Sequence, residues 1–392
     1  MLGVSTEEIP TRPPERPASL LAKPYWYREL PPGTDVHRLD EGLFTVTGNA
    51  AVHDVLTHPG IAAEHPLKAS ARAFGPNVLD ADGPAHKAFR ALLAPVLSAG
   101  RIAEYRGTLM PRLIDALVDT ITGTETDDFY NSYAHKVPYG IVCAILGIDP
   151  ALEARFHELT RPLARLLDYP TEESSQTHAN VAALLRLIEE QRALGAADSR
   201  SLLETIERTR DRKGITLTDS EVRSTALLFF LAGTETSSAF ITSLVYCVGR
   251  SVIGLDELSD ETAREAFIEE ALRLYPPVQT IVRFAAEDVT VQGVDIPRHS
   301  AILASVAGAN RDPRMFDDPD RFRVGRSLKG SIPFAVGAHA CPGAMLAKAE
   351  FSLLIAALAE RCSEVVVTRD QPTMTSQSFA HPAGFSVHFR SK

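Results

Sequence analysis

The segment Phe334-Ala-Val-Gly337-Ala-His339-Ala-Cys341-Pro-Gly343 carries the strongest chemical signal in this chain. Cysteine thiolate is one of the few protein ligands that hold haem iron, and Cys341 is the candidate ligand. The flanking glycines have no side-chain bulk, so the backbone of this loop can approach a flat cofactor closely. The apolar run 344–358 predicts a helix whose first N–H groups would stabilise a thiolate. A structural cysteine in a glycine-rich turn is the alternative interpretation.

A second signal lies in the segment 221–250, whose apolar residues at almost every helical position predict a helix buried nearly all round. Its middle reads Ala232-Gly233-Thr234-Glu235-Thr236-Ser237. Glycine inside a helix costs roughly 1 kcal/mol relative to alanine, which indicates a local purpose. A groove at Gly233 would admit dioxygen, while Glu235 and Thr236 would bring protons into an apolar pocket. The alternative is a core helix with a satisfied threonine and a glutamate on its polar edge.

The sequence Gly123-Thr124-Glu125-Thr126 nearly repeats this second motif. It lies in a short polar break followed by Asp127 and Asp128, with no long apolar helix to bury the alcohol and the acid. We therefore interpret this copy as having no part in the chemistry.

The cysteine segment resembles the signature F-x-x-G-x-(H/R)-x-C-x-G of the cytochrome P-450 family of haem-thiolate monooxygenases, and every specified position matches. The helix motif is similar to that family's (A/G)-G-x-(D/E)-T-(T/S). The resemblance runs from about residue 25 to the C-terminus, with the motifs in family order. It implies haem b bound through Cys341, and it implies that the acid and the alcohol serve a reaction that uses O2 and two electrons. By the same resemblance the remaining residues of the two motifs shape the site, namely Phe334, Gly337, His339, Gly343, Ala232 and Gly233.

Four basic residues match positions that hold the haem propionates in this family. His86 and Arg90 lie four residues apart on one face of a predicted helix. Taken alone, the two residues would better fit a solvated basic face. Arg283 lies on a predicted strand, and His339 would reach the acidic edge of the haem.

Glu270 and Arg273 form an E-x-x-R pair on a predicted helix. An exposed pair with this spacing is worth only a few tenths of a kcal/mol. In the family the pair joins an arginine of a later loop and supports the cysteine loop. Arg326 is the candidate for this third residue, with Arg321 and Arg323 as competitors.

The pattern as a whole predicts a mainly α-helical fold with a small β lobe, of the α+β class. Apolar residues at helical spacing predict five further helices, at 101–120, 133–146, 151–167, 180–193 and 261–274. Alternating or β-branched segments predict strands at 43–47, 278–284, 289–291, 295–297, 301–306, 364–368 and 385–389. Asp82 and Asp219 are the predicted N-caps of their helices.

The resemblance also implies how the segments around the substrate are arranged. The helices at 151–167 and 180–193 would form a lid, and the loop 62–80 and the tip near 376–379 would cover the pocket. The pocket itself would be lined by Phe229, Val278, Ile281 and Val282.

The proline-rich residues 1–20 predict an extended, partly disordered arm, and residues 21–392 are expected to form a single domain. A net charge of −10 gives no support for nucleic-acid binding. The four cysteines lack CxxC spacing, which fits neither a zinc site nor a disulfide framework and suits a reducing cytoplasm. Neither a signal segment nor an apolar run of about 20 residues is present, so we expect no membrane association.

The expected reaction is hydroxylation or epoxidation of a small, largely apolar organic substrate, in natural-product metabolism by the resemblance. The sequence has no flavin fingerprint, so ferredoxin and ferredoxin reductase would supply NAD(P)H electrons. They would dock at a basic surface behind Cys341, formed by Lys87, Arg90, Lys329 and Lys348. A carrier protein is a further candidate partner. The alternatives are a non-catalytic haem-thiolate protein that binds a ligand or a carrier-bound intermediate, and a helical binding protein without haem.

Overall fold

A computed structural model of the chain describes residues 34–167, 174–195, 200–209, 218–250, 253–374 and 379–392. The predicted arm 1–20 and most of the predicted pocket tip lie outside the described residues.

Helices dominate the described residues, as the sequence predicts. They are α1 Asn49–Thr57, α2 Ala69–Phe74, α3 Gly83–Leu93, α4 Ala99–Ile121, α5 Lys136–Leu146, α6 Glu153–Thr160, α7 Ser175–Leu194, α8 Leu202–Thr209, α9 Asp219–Arg250, α10 Glu261–Leu274, α11 Val306–Ala309 and α12 Ala344–Arg361. A π-helical turn, Tyr130–Ala134, precedes α5, and 3₁₀ turns lie at Pro150–Leu152, Arg161–Leu167 and Glu257–Ser259. Pro162 lacks the N–H group that an α-helix needs, which accounts for the change from α6 to the 3₁₀ turn that follows it.

The strands form a five-stranded sheet in the small lobe, a three-stranded sheet and a two-stranded sheet. They are β1 Val36–Asp40, β2 Leu43–Val46, β3 Ile61–Ala62, β4 Glu125–Thr126, β5 Thr280–Ala285, β6 Val289–Val291, β7 Val294–Ile296, β8 Ala301–Ser305, β9 Cys362–Met374 and β10 Pro382–Ser391. The main sheet has the order β1-β2-β8-β5-β3, in which only β2 and β8 run parallel. A second sheet has the order β4-β10-β9, and β6 pairs with β7.

The helix α9 runs through the main apolar core for 32 residues, or about 48 Å. It is long and apolar enough to cross a membrane, but 78% of its most apolar window is buried within the protein, as in a core helix. The predicted cap at Asp219 is wrong by one residue. Thr218 and Glu221 exchange hydrogen bonds between side chain and backbone in both directions, which is a capping box around the first turn.

Two loop predictions gain detail in the structure. The loop 62–80 contains the short helix α2, and a buried ion pair of 2.6 Å joins Lys68, directly before α2, to Asp80 at the end of the loop. Asp82 stands at the N-cap of α3, but its carboxylate does not cap that helix. It accepts hydrogen bonds from the N–H groups of Ala63 and Glu64 instead.

Candidate active site

The cysteine loop is a tight turn in which Cys341 is accessible, whereas Cys143, Cys247 and Cys362 are buried. The N–H group of Cys341 donates to the carbonyl oxygen of Phe334 at 2.9 Å. Burial raises the pKa of Cys341, while hydrogen bonds from the N–H groups of Gly343 and Ala344 to the sulfur act in the opposite direction, in favour of the thiolate. The loop therefore holds one cysteine sulfur beside N–H donors at the start of α12, which is how proteins stabilise a thiolate.

Gly337 is required by the shape of this loop. Its φ is +78°, and a Cβ atom there would lie 2.7 Å from the carbonyl oxygen of Leu56. Both the left-handed conformation and the close approach to α1 favour glycine. Gly337, a glycine of the sequence motif, thus allows the cysteine loop to pack closely against α1 of the small lobe.

The acid and alcohol of α9 point in different directions. Glu235 is 2% exposed, and each of its carboxyl oxygens accepts a hydrogen bond from a tyrosine, Tyr139 at 2.5 Å and Tyr130 at 3.0 Å. Thr236 is half-buried, and its hydroxyl group donates to the carbonyl oxygen of Ala232 at 2.7 Å. Burial raises the pKa of Glu235, while the tyrosine hydrogen bonds act in the opposite direction.

Gly233 contributes to packing as well. A Cβ atom at this position would lie 3.0 Å from Cγ2 of Val142 on α5, so the missing side chain allows the two helices to approach. The helix continues without a break through Ala232–Ser237. The groove for dioxygen that the sequence suggested at Gly233 stays a prediction.

A buried carboxyl group joins α9 to the helix that follows Cys341. Glu350 on α12 is 3% exposed and is hydrogen-bonded to Ser237. Burial raises its pKa to about 8, and its Oε1 atom has no hydrogen-bond partner among the described residues. The sequence reasoning missed this residue because a glutamate among alanines on a helix reads as a surface residue.

The predicted propionate ligands gather around Asp82. His339 contacts this carboxylate at 2.9 Å, and its ring lies 4.0 Å from that of His86. Burial would raise the pKa of Asp82, but hydrogen bonds from His339 and from backbone N–H groups hold it at about 2. The pKa of His86 falls to about 4 because of burial and its charged neighbours. Arg90 donates to the carbonyl oxygen of Ala340, so its guanidinium group braces the cysteine loop.

Arg283 is a buried cation. Its side chain is 5% exposed, and burial lowers its pKa to about 10. Its hydrogen bond within the described residues goes to the carbonyl oxygen of the adjacent Val282, and no carboxylate of those residues forms an ion pair with it. Buried arginines are usually paired, so this guanidinium group is suited to a carboxylate supplied by a ligand.

The structure brings the predicted framework residues together and decides between the competing arginines. Glu270 and Arg273 form a bidentate pair with both distances at 2.8 Å and both side chains fully buried. Arg326 completes the cluster, with Nε 3.0 Å from Glu270. Arg323 contributes its backbone N–H group to the same carboxylate, and Arg321 its carbonyl oxygen to Arg273.

The predicted pocket residues divide between two faces of β5. Ile281 lies on the same face as Arg283, whereas Val282 lies on the opposite face with Phe284, beside Leu43 and Leu303. Ile281 and Val282 therefore face different sides of the strand, and their place in the pocket stays a prediction. Val278 precedes the strand and, like Phe229 on α9, is half-buried.

The second copy of the helix motif lies in a β-sheet. Its Glu125 and Thr126 form the edge strand β4 beside β10, and Glu125 accepts a hydrogen bond from Thr368. The N–H group of Gly123 donates to Phe389. These contacts place it in the second sheet rather than in a helix.

Comparison with known proteins agrees with this arrangement. The family model described as Cytochrome P-450 matches residues 248–389. The 6-deoxyerythronolide B hydroxylase of Saccharopolyspora erythraea is 30% identical over 359 residues, which cover 85% of this chain and 87% of that protein. The cytochrome P-450 monooxygenase PikC of Streptomyces venezuelae is 30% identical over 88% of this chain and 85% of that protein.

A solved structure shows the same fold. The cytochrome P-450 enzyme CxnD, for C–S bond formation in chuangxinmycin biosynthesis, superposes with a TM-score of 0.81 and is 26% identical, covering 92% of each chain. With the cysteine loop, the acid and alcohol of α9 and the relatives named above, this chain belongs to the cytochrome P-450 family of haem-dependent monooxygenases, in its bacterial form.

Proposed function

We propose that this protein uses O2 and two electrons from a separate redox partner to hydroxylate or epoxidise a small, largely apolar organic molecule of natural-product metabolism. The observation that carries the proposal is the junction of α9 and α12. The contact between Ser237 and Glu350 fixes the helix that bears Glu235 and Thr236 against the helix that begins behind Cys341. Acid, alcohol and thiolate are thereby held on one framework.

The residues fit haem b, the form held without covalent attachment to its vinyl groups. Cys341 is the accessible thiolate donor, and Arg283 is a buried guanidinium group suited to a propionate. We assign Arg90, His86 and His339 to the same acidic edge of the cofactor. His339 contacts Asp82 at 2.9 Å, so this contact would be exchanged for, or shared with, a propionate.

The protein's own groups have defined tasks in this reaction. Haem iron bound by thiolate supplies the activation of O2. The N–H groups of Gly343 and Ala344 stabilise the charge on the Cys341 sulfur. Glu235 supplies a buried carboxyl group that can take up and release a proton, and Thr236 presents a hydroxyl group that is anchored to Ala232.

The substrate class rests on the relatives and on the apolar side chains that are predicted to line the pocket. One relative is named a 6-deoxyerythronolide B hydroxylase, and PikC is named a monooxygenase. Phe229, Val278 and Ile281 offer half-buried apolar side chains to a substrate. We assign the protein to the cytoplasm, with ferredoxin and ferredoxin reductase as the source of electrons and a carrier protein as a further partner.

The basic docking surface needs revision in the light of the structure. Lys87 and Lys329 are exposed, as the surface requires. Lys348, however, is ion-paired with Glu269 at 2.5 Å, and Arg90 is directed into the cysteine loop. The proposed positive surface therefore depends mainly on Lys87 and Lys329.

The absorption spectrum of the reduced, carbon monoxide-bound protein tests the assignment of Cys341 as the haem ligand. Cys341→Ser is the comparison, and Cys362→Ser is the matched control. A strongly red-shifted Soret band that disappears in the Cys341 variant and persists in the Cys362 variant is the expected result. Wild-type protein that binds no haem, or a spectrum unchanged by Cys341→Ser, would refute the assignment.

NADPH consumption with surrogate redox partners and candidate substrates then separates a monooxygenase from a haem protein that only binds a ligand. The intact pair of Glu235 and Thr236 supports the monooxygenase.

A further inference from the structure

The acid of α9 is held from both sides by neutral hydroxyl groups. Tyr130, in the π-helical turn before α5, donates to Oε2 of Glu235, and Tyr139 on α5 donates to Oε1. Tyr139 is itself fixed, because its hydroxyl group lies 2.7 Å from that of Thr160 on α6. Three separate elements thus set the position of a single carboxyl group.

The surroundings favour neutral groups at this position. Burial and the nearby Glu235 raise the pKa values of both Tyr130 and Tyr139 well above their usual range, so both hydroxyl groups keep their protons. Arg161 acts on Glu235 only through its electrostatic field and forms no ion pair with it among the described residues. The other titratable side chains that face the two tyrosines are His381, which stacks on Tyr130, and His157 with His135, which lie edge-on to Tyr139.

Tyr130 also borders a cavity on its other side. This cavity has a volume of about 230 Å³ and lies among the turn before α5, the 3₁₀ turn after α6, α9 and β10. Exposed charged residues form part of its lining, namely Asp127, Asp128 and Arg161. The ring of His381 lies 3.7 Å from that of Tyr130, in a stacked arrangement, and also lines the cavity. Tyr130 thus lines a partly polar cavity and also donates its hydroxyl group to Glu235.

We propose that Tyr130 and Tyr139 are positioning residues that hold the carboxyl group of Glu235, and that Tyr130 joins this group to the cavity, where protons for the reaction enter. In each transfer the Tyr130 hydroxyl group gives its proton to Oε2 of Glu235 and regains one from water on the cavity side. One proton moves inward, no electrons move, and the tyrosine is neutral before and after. The entry of protons rests on the proposed function, whereas the positioning of Glu235 does not.

The two tyrosines allow the two parts of the proposal to be tested separately. Tyr130→Phe removes one donor to Glu235 and the link to the cavity, while Tyr139→Phe removes a donor and leaves the link intact. Tyr133→Phe is the matched control, since Tyr133 lies in the same turn and contacts Phe129 and Lys136 rather than Glu235. The double variant Tyr130→Phe/Tyr139→Phe completes the set.

The infrared carbonyl band of the protonated Glu235 side chain, followed as a function of pH, tests the positioning without any turnover. Glu235→Gln identifies the band, and a Glu350→Gln background removes the band of Glu350, a further buried carboxyl group whose pKa is raised by burial. Loss of either tyrosine should raise the pKa of Glu235 by about one unit, because a donor to the carboxylate is removed. The control should leave the band unchanged. A titration identical in wild type and in the double variant would overturn the positioning role.

NADPH consumption with a surrogate ferredoxin and its reductase, in H2O and in D2O, tests the entry of protons. Tyr130→Phe should lower the rate roughly tenfold and increase the ratio of the rates in H2O and D2O, whereas Tyr139→Phe should change both much less. Equal effects of the two substitutions, or none, would overturn the entry site while leaving the proposed function intact. Wild-type protein without haem would refute the proposed function, and the infrared titration would still decide the positioning role.

Discussion

The carboxyl group of Glu350 on α12 is hydrogen-bonded to Ser237 on α9, directly after Thr236. Both side chains are buried, and the contact joins the helix behind the cysteine loop to the middle of the helix that carries the acid and the alcohol. A carboxyl group in this place is stable when it is protonated, because an unpaired charge is costly in an apolar core. The protonation state of Glu350 changes with the pH of the solution, and the stability of the contact between α9 and α12 therefore changes with it.

Substitution of Glu350 by glutamine should change the pH dependence of folding. The pKa of Glu350 is raised from 4.5 to about 8 in the folded protein, so the folded state binds the extra proton between these values. Stability is then greatest at low pH within this window and is lost as the pH rises through 8. Glu350→Gln has no proton to lose and should flatten this decline, by an amount on the order of a few kcal/mol between about pH 5 and about pH 9.

Urea unfolding at several pH values, followed by circular dichroism, measures this effect. Glu360→Gln is the control on the same helix, since Glu360 is 76% exposed. A decline of equal slope in wild type and in Glu350→Gln would show that Glu350 does not carry the pH dependence.

The buried cluster around Glu270 should be far more sensitive than its spacing suggests. Glu270→Gln leaves the guanidinium groups of Arg273 and Arg326 without their charged partner in the core, which should cost about 3–5 kcal/mol of unfolding free energy. The exposed pair of Arg155 and Glu158 has the same i, i+3 spacing, so Glu158→Gln should cost less than about 1 kcal/mol.

Denaturant unfolding of the apoproteins compares the two substitutions. If Glu270→Gln fails to fold, Arg326→Gln offers a milder change, because the bidentate pair of Glu270 with Arg273 remains. A cost for Glu270→Gln no larger than that for Glu158→Gln would contradict a supporting role of the cluster.

These cases show which features can be predicted from local sequence patterns and which depend on the fold. Segment types and motif residues follow from local patterns, and α10 was predicted with its observed limits, Glu261–Leu274. The choice of Arg326 over its two competitors depends on how a loop folds back on α10, which no local pattern contains. The hydrogen-bond partners of Glu235 cannot be predicted from local patterns either, since Tyr139 and Tyr130 lie 96 and 105 residues away along the chain.

The register of an element decides details that residue type does not. The sequence predicted both Ile281 and Val282 for the pocket, but side chains alternate along a strand, so Val282 lies on the face of β5 opposite to Ile281 and Arg283. The cap of α9 is Thr218 rather than Asp219 because its hydroxyl group can reach the N–H group of Glu221. In both cases the residue type was suitable and the register decided the outcome.

Substitution of Gly337 by alanine should damage the cysteine loop through two separable effects. The positive φ of +78° costs an alanine roughly 1–2 kcal/mol, and the contact of its Cβ atom with the carbonyl oxygen of Leu56 adds to this. Gly325 has a similar φ of +82° with nothing near its Cβ position, so Gly325→Ala isolates the first effect.

Thermal unfolding and haem content of the two variants distinguish the effects. Gly337→Ala should lose more stability than Gly325→Ala and should retain less haem. Equal losses in the two variants would show that the contact with α1 does not constrain the loop.

Reversal of charge at Lys87 and Lys329 should slow electron delivery by an acidic ferredoxin. Both side chains are exposed, and the two substitutions Lys87→Glu and Lys329→Glu change the local charge by four units in total, from attraction to repulsion. Stopped-flow reduction under carbon monoxide should show a rate that is lowered at low ionic strength and no longer falls with added salt, because the attraction that salt would screen is gone. Arg186→Glu on α7, in the predicted lid, reverses an exposed charge away from this surface and should leave the rate unchanged.

Lys348→Glu should act less strongly than Lys87→Glu, since Glu269 already neutralises Lys348. Rates that keep their magnitude and salt dependence in the double variant would place the docking site elsewhere on the protein.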